Sequence, residues 1–327
     1  MKPGKTGLIL RGLAMGIAEI IPGVSGGTIA FISGIYKDLL DAVTGLNMNA
    51  LRMLFKGDFK GFSGSVKLPF LVFLGMGMAI GVVSGVFGIT YLLDNYPEVI
   101  WALFFGLVLA SVPYMLLQLK SGKGYHILIF LAGALFAWYI TTLTPVSGHA
   151  NLLYIFFGGT IAICALVLPG VSGSFMLLLL GLYSLVIPTL KSFLSNPDME
   201  SFTIIFVFGL GCIVGLLVFS RIVSRGFEKY HDGTIALLSG FMLGSLNKIW
   251  PWRNPEVYLE KESGKIHDAS SVLAEVADDP DAFKILSEIN VLPSSYMGEA
   301  RIFAVILALL AGMALVYGLS RVQKKVY

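Results

Sequence analysis

Glu19, Ser25, Thr28, Ser172 and Ser174 stand beside two glycine-rich breaks, Pro22-Gly23-Val24-Ser25-Gly26-Gly27 and Pro169-Gly170-Val171-Ser172-Gly173-Ser174, in an otherwise apolar chain. Hydroxyls, glycine amides and a carboxylate are the groups that bind a small oxyanion and take up a proton or a sodium ion. A helix beginning at Gly26-Gly27-Thr28, or near Gly173-Ser174, turns free N–H groups and the positive end of its dipole toward the break. Glycine lets such amides converge on an oxyanion without Cβ obstruction. Ser25, Gly26, Gly27, Thr28, Ser172, Gly173 and Ser174 are therefore the candidate binders of an anionic group, with phosphate a good fit. Pro22, Gly23, Pro169 and Gly170 make the breaks, because proline removes a backbone donor and clashes with the preceding turn. The bland alternative is that the breaks merely pack together, which explains one break more readily than a matched pair.

Glu19 lies one turn before the first break, within the apolar run Gly16-Ile17-Ala18-Glu19-Ile20-Ile21. A carboxylate at membrane depth costs several kcal/mol and marks a functional site by default. It can couple transport to a proton or sodium gradient, cap loose N–H groups of the break, or touch substrate. Its counterpart at the second break is Leu166, so the halves are not chemically equivalent. Arg11 and Lys37 flank the first break as peripheral basic candidates for a lipid phosphate, against the simpler role of topology anchors. His126, His149, His231 and His267 fall at span ends or in loops and form no expected metal cluster. Cys164 and Cys212 lie in apolar segments and read as packing residues. No motif serine has a His or Lys close in sequence, and Gly-x-x-x-x-Gly-Lys-Ser/Thr is absent, so neither a nucleophilic enzyme nor a nucleotide-binding cassette is indicated. No cofactor, metal or nucleic-acid partner is expected.

The elements that must position these residues follow from composition. The 327 residues are 56% hydrophobic and 13% charged, with mean hydropathy +0.82. This describes an all-α polytopic membrane protein; the alternating pattern of a membrane barrel is missing. No cleavable signal-peptide pattern is read, since the first apolar run carries Arg11 and Glu19. Apolar pieces on either side of each break are too short to cross a hydrocarbon core of about 30 Å. Residues 8–40 and 152–190 therefore read as re-entrant helical hairpins. Full spans are expected at about 68–93, 98–118 and 126–143, and again at about 203–220, 234–250 and 302–320. The repeat extends beyond the breaks: Gly34-Ile35-Tyr36 matches Gly181-Leu182-Tyr183, and Gly75, Gly77 and Gly81 match Gly209, Gly211 and Gly215. The chain divides into a first repeat, 1–150, and a second, 151–327, with a polar extracytoplasmic insertion at about 251–300. Three crossings per repeat invert the second half. The loops 94–97 and 144–152 carry no Lys or Arg, whereas the connector 41–67 carries Arg52, Lys56, Lys60 and Lys67, which places both termini in the cytoplasm. Two matched breaks in inverted repeats are a pointer to a transporter site.

The stretch from Gly12 through Glu19 and the first break to Ala30, followed by Gly34-Ile35-Tyr36 and by the second break, resembles the bacterial polyprenyl-phosphate transporter family. The resemblance covers nearly the whole chain apart from 251–300. It implies a multi-pass protein of the bacterial cytoplasmic (inner) membrane, a flippase that returns undecaprenyl phosphate from the outer to the inner leaflet, recycling the lipid carrier of cell-wall precursors. The residues alone indicate only an anion site between inverted repeats. They leave open a secondary transporter or channel for a small soluble anion, and a membrane enzyme acting on a lipid phosphate.

Overall fold

The computed structural model describes residues 4–20, 25–121, 123–143, 151–260, 265–279 and 282–324. Helix α1 (Lys5–Ile20) leads to the first break, of which Pro22 and Gly23 lie outside the described residues. The chain resumes in α2 (Gly26–Ile32) and α3 (Tyr36–Thr44). Two short helices, α4 (Met48–Phe55) and α5 (Phe59–Ser65), precede the long helices α6 (Leu68–Asn95), α7 (Pro97–Leu116) and α8 (Gly124–Thr142). The sequence then starts over with α9 (Leu152–Val167), α10 (Gly173–Leu179) and α11 (Tyr183–Ser195), followed by α12 (Met199–Lys229) and α13 (His231–Ser245). After a 3-10 turn at Leu246–Ile249 come strands β1 (Arg253–Glu260) and β2 (Ile266–Asp268), helix α14 (Ala269–Asp278), strand β3 (Phe283–Asn290) and helix α15 (Ile302–Lys324).

The structure is mostly helical, and four helices among the described residues are long and apolar enough to cross a membrane: α6, α7, α8 and α12. Helix α7 is half buried, whereas α6, α8 and α12 turn most of their apolar side chains outward. Exposed Val83, Leu131, Leu135, Phe206 and Ile213 suit a lipid surround and would be a liability in water. Helix α12 runs 31 residues, well past the apolar stretch 203–220.

Each limb that returns from a break is two short helices rather than one. Gly34 and Gly181 adopt φ of +72° and +64°, which stops α2 and α10 and redirects the chain into α3 and α11. Beyond its left-handed C-terminal residue a helix has no continuation, and glycine takes that conformation without steric cost.

Packing joins distant segments. Helix α1 lies along α6, and α9 lies along α12. The last helix of each half crosses over: α8 packs along α13, and α15 packs along α7. Backbones come close at small residues, as membrane helices require. A Cβ on Gly77 would overlap the Ile9 carbonyl, and one on Gly211 would overlap the Phe156 carbonyl. Gly77→Val is therefore expected to force α1 and α6 apart, at a cost of about 1–3 kcal/mol. The check is a lowered thermal-unfolding midpoint in detergent against Gly75→Val, whose added Cβ meets nothing within 4 Å.

The segment after α13 departs from an all-helical chain. It forms an antiparallel sheet of order β2-β1-β3, with Tyr258, Ala269, Val272 and Phe283 as a small core under α14. It is tied to the helices at several points. The Trp252 indole donates to the Ala300 carbonyl at 2.8 Å. The Arg253 guanidinium lies 4.0 Å from the Trp101 ring on α7 and pairs with Glu288 at 2.9 Å. Arg301, just before α15, pairs at 3.1 Å with Glu98, which is buried in the first turn of α7.

Candidate functional site

At the first break, Ser25 is the N-cap of α2 with extended backbone (φ −114°, ψ 135°). Its Oγ accepts the Gly27 N–H at 3.1 Å, as a helix cap does. The Gly26 N–H donates to Glu19 Oε1 at 2.7 Å. The Thr28 N–H reaches the Ser25 carbonyl at 2.9 Å. The amides expected to face a ligand at this break are thus engaged from within the chain, and Glu19 holds the place of an oxyanion on Gly26.

The second break begins where α9 stops at Val167. Gly170 has φ +90°, and a Cβ there would stand 2.8 Å from the Phe241 carbonyl. Both facts restrict the position to glycine. Ser172 is the N-cap of α10, and its hydroxyl makes no capping bond; it instead pairs with the Ser174 hydroxyl at 2.9 Å. Gly173 opens α10 and is buried, as are Pro169 and Gly170 before it.

The two breaks touch. The Gly170 N–H donates to Thr28 Oγ1 at 2.8 Å. The Ser25 hydroxyl donates to the Leu166 carbonyl at 3.1 Å, and the Tyr36 hydroxyl donates to the Val167 carbonyl at 3.0 Å. These bonds satisfy carbonyls at the end of α9 that have no partner in their own helix. Ser25, Thr28 and Ser172 are all buried. Glu19, Ser25, Gly26, Gly27 and Thr28 are therefore brought together with Gly170, while the Ser172 and Ser174 hydroxyls pair with each other.

The peripheral basic residues sit elsewhere. Arg11 donates to the Ser33 carbonyl at 3.1 Å and the Gly7 carbonyl at 3.2 Å, which ties α1 to the end of α2. Lys37 is exposed on α3. Cys164 and Cys212 are free thiols leaning on backbone carbonyls. Among the described residues, no three His, Cys, Asp or Glu side chains group closely enough to share a metal ion.

A cleft opens against the second break, lined by Gly170, Ser172 and Phe175, by Ile140 and Thr141 of α8, and by Lys248. The Lys248 ammonium stands 4.8 Å from the Phe175 ring centroid. In the sequence Lys248 borders the polar insertion, where a lysine after an apolar run ordinarily reaches to the membrane interface; its place in the cleft is visible only in the fold. Tyr36 stands out in the sequence only as the match of Tyr183, and its hydroxyl's bond to the end of α9 is a feature of the fold alone.

A family model described as undecaprenyl phosphate translocase-like matches residues 15–267. The chain is 38% identical to a polyprenyl-phosphate transporter of Vibrio cholerae over 316 residues, covering 97% of this chain and 96% of that protein. It is 30% identical to a polyprenyl-phosphate transporter of Staphylococcus aureus over 255 residues, covering 74% of this chain and 85% of that protein. No solved structure matches the chain significantly.

Proposed function

Since this chain belongs to the undecaprenyl phosphate translocase-like family, we propose that it transports a polyprenyl phosphate such as undecaprenyl phosphate across the bacterial cytoplasmic membrane, from the outer to the inner leaflet. The phosphate is held where the two breaks meet, and the prenyl tail stays in lipid. One observation carries this reading: broken backbone from both halves of the chain converges in the protein interior, through Gly170 N–H on Thr28 Oγ1 and Ser25 Oγ–H on the Leu166 carbonyl. Irregular backbone at membrane depth survives where it is buried in protein or lines a cavity, and discontinuous helices are how many transporters build a midplane site.

The helix pairing supports two inverted-topology repeats, each a re-entrant hairpin with three further spans. The α1–α6 contact has its counterpart in α9–α12, and α8 on α13 has its counterpart in α15 on α7. Such an arrangement lets one half rock against the other and exposes the shared site to each leaflet in turn.

Glu19 links the capping and coupling roles. As a carboxylate it holds the Gly26 N–H. Protonation removes its charge, weakens that bond and frees the Gly26 amide for a phosphate oxygen. A proton then accompanies the substrate because carboxylate and phosphate compete for the same donor.

The hydroxyls favour a transporter over a lipid-phosphate enzyme. Ser25 Oγ is engaged by Gly27 N–H and the Leu166 carbonyl, and Ser172 Oγ by Ser174. Neither is bonded to an imidazole or carboxylate among the described residues, as an activated nucleophile would be. The test is reconstitution. Proteoliposomes should equilibrate undecaprenyl phosphate between leaflets much faster than protein-free vesicles and release no inorganic phosphate. Uptake of a soluble anion without movement of the lipid would overturn the reading.

A further inference from the structure

We propose that Lys248 is the cation that grips the substrate phosphate beside the second break, and that the sheet-bearing segment after it serves to hold that lysine in place. This rests on the polyprenyl-phosphate reading above and adds to it a residue outside both breaks.

The cleft walls are apolar or hydroxylic: Ile140 and Thr141 on α8, Ser172 and Phe175 after the break. Lys248 brings the only formal charge among the lining residues. Among the described residues, no carboxylate stands within ion-pair distance of its ammonium; the neighbouring Glu288 is taken by Arg253. A cation set against an aromatic ring and apolar walls without a counter-ion is costly, and a phosphate oxygen supplies that counter-charge through a short charge-assisted hydrogen bond. The free space in the cleft is about 10 Å³, room for about one water-sized group. It therefore has room for a single headgroup oxygen beside the lysine and none for a prenyl chain. The same helix that forms one wall exposes Leu135, Trp138 and Tyr139, so a chain leaving the cleft meets outward apolar surface.

The lysine's backbone is fixed from the sheet side. Arg253 donates to the Lys248 carbonyl at 2.9 Å, while stacking on Trp101 and pairing with Glu288 of β3. Asn290, at the end of β3, donates to the Asn247 carbonyl and to its Oδ1, both at 2.9 Å. Asn247 in turn donates to Thr141 Oγ1 at 2.9 Å, in the cleft wall itself. The sheet, the turn carrying Lys248 and α8 are thereby held in one register.

The test uses the full chain in phosphatidylcholine nanodiscs, with undecaprenyl phosphate, undecaprenol and inorganic phosphate as probes and native mass spectrometry as the readout. Lys248→Gln should raise the Kd for undecaprenyl phosphate by about tenfold or more, the scale of one hydrogen bond to a charged group. It should leave undecaprenol binding unchanged, and Lys248→Arg should restore most of the affinity. Arg253→Gln should weaken the phosphorylated lipid selectively but less. Unchanged undecaprenyl phosphate binding in Lys248→Gln would overturn the proposal and leave the transport reading standing. Equal loss of both lipids would assign the lysine a structural role and also overturn it. Inorganic phosphate binding as tightly as the lipid would make the ligand a free anion. Wild-type protein that does not prefer undecaprenyl phosphate to undecaprenol would remove the transport reading itself.

Discussion

Glu19→Gln is expected to abolish the dependence of polyprenyl-phosphate transport on a pH gradient while leaving the fold intact. The amide keeps an oxygen in place to accept the Gly26 N–H, now bound at 2.7 Å by the carboxylate, but it cannot take up or release a proton. The paired variant Glu19→Ala removes the acceptor altogether. A buried amide left without a partner costs about 1–3 kcal/mol, so Glu19→Ala should also lose thermal stability. The contrast separates the two duties of the residue. Stability tracks the presence of an oxygen, and gradient response tracks the presence of a titrating group. Transport measured in proteoliposomes with and without an imposed gradient decides it: a Glu19→Gln protein that still responds to the gradient would leave Glu19 as a cap alone.

The contact between the breaks gives the second large effect. Gly170→Ala meets two obstacles. The residue sits at φ +90°, where a side chain costs roughly 1–2 kcal/mol, and the new Cβ lies 2.8 Å from the Phe241 carbonyl. Thr28→Val keeps the shape of its side chain and removes the acceptor of the Gly170 N–H. Each change alone should lower both the unfolding midpoint and transport. Because they act on one hydrogen bond, the double variant should lose less than the sum of the two, with a coupling of about 0.5–3 kcal/mol. Additive losses would mean that the two breaks do not act as one unit.

Several features could be read from residue types alone. The helix starts after Ser25 and at Gly173, the polar segment before the last helix, and the apolar long helices follow from proline, glycine and hydropathy. Other features could not. Residues 28–40 look like one helix because Ala30, Phe31, Ile32, Leu39 and Leu40 are apolar throughout. The stop at Gly34 is carried by one backbone dihedral, and glycine inside a helical pattern does not by itself announce a positive φ. Gly181 repeats the case. The strands β1 and β3 were hidden in a segment read only as polar, although Phe283-Lys284-Ile285-Leu286 alternates in part. The cleft was the least legible feature. Its walls come from residues 137–141, 170–175 and 248, and only the packing of α8 against α13 brings them together. Sequence periodicity reports which face of a helix is apolar, not which distant helix covers it.

The crossing-over of the last helix of each half has a consequence for biosynthesis. Helices α7 and α8 emerge first, yet their packing partners α15 and α13 belong to the second half of the chain. The first half released alone would leave Gly106, whose close neighbour is the Leu309 carbonyl of α15, against lipid. Neither half is then a self-sufficient assembly intermediate, and the bundle stays open until its last helix is inserted. A nascent chain truncated anywhere before Ile302 presents an unclosed seam along α7, the kind of surface by which membrane quality control can recognise an unfinished protein.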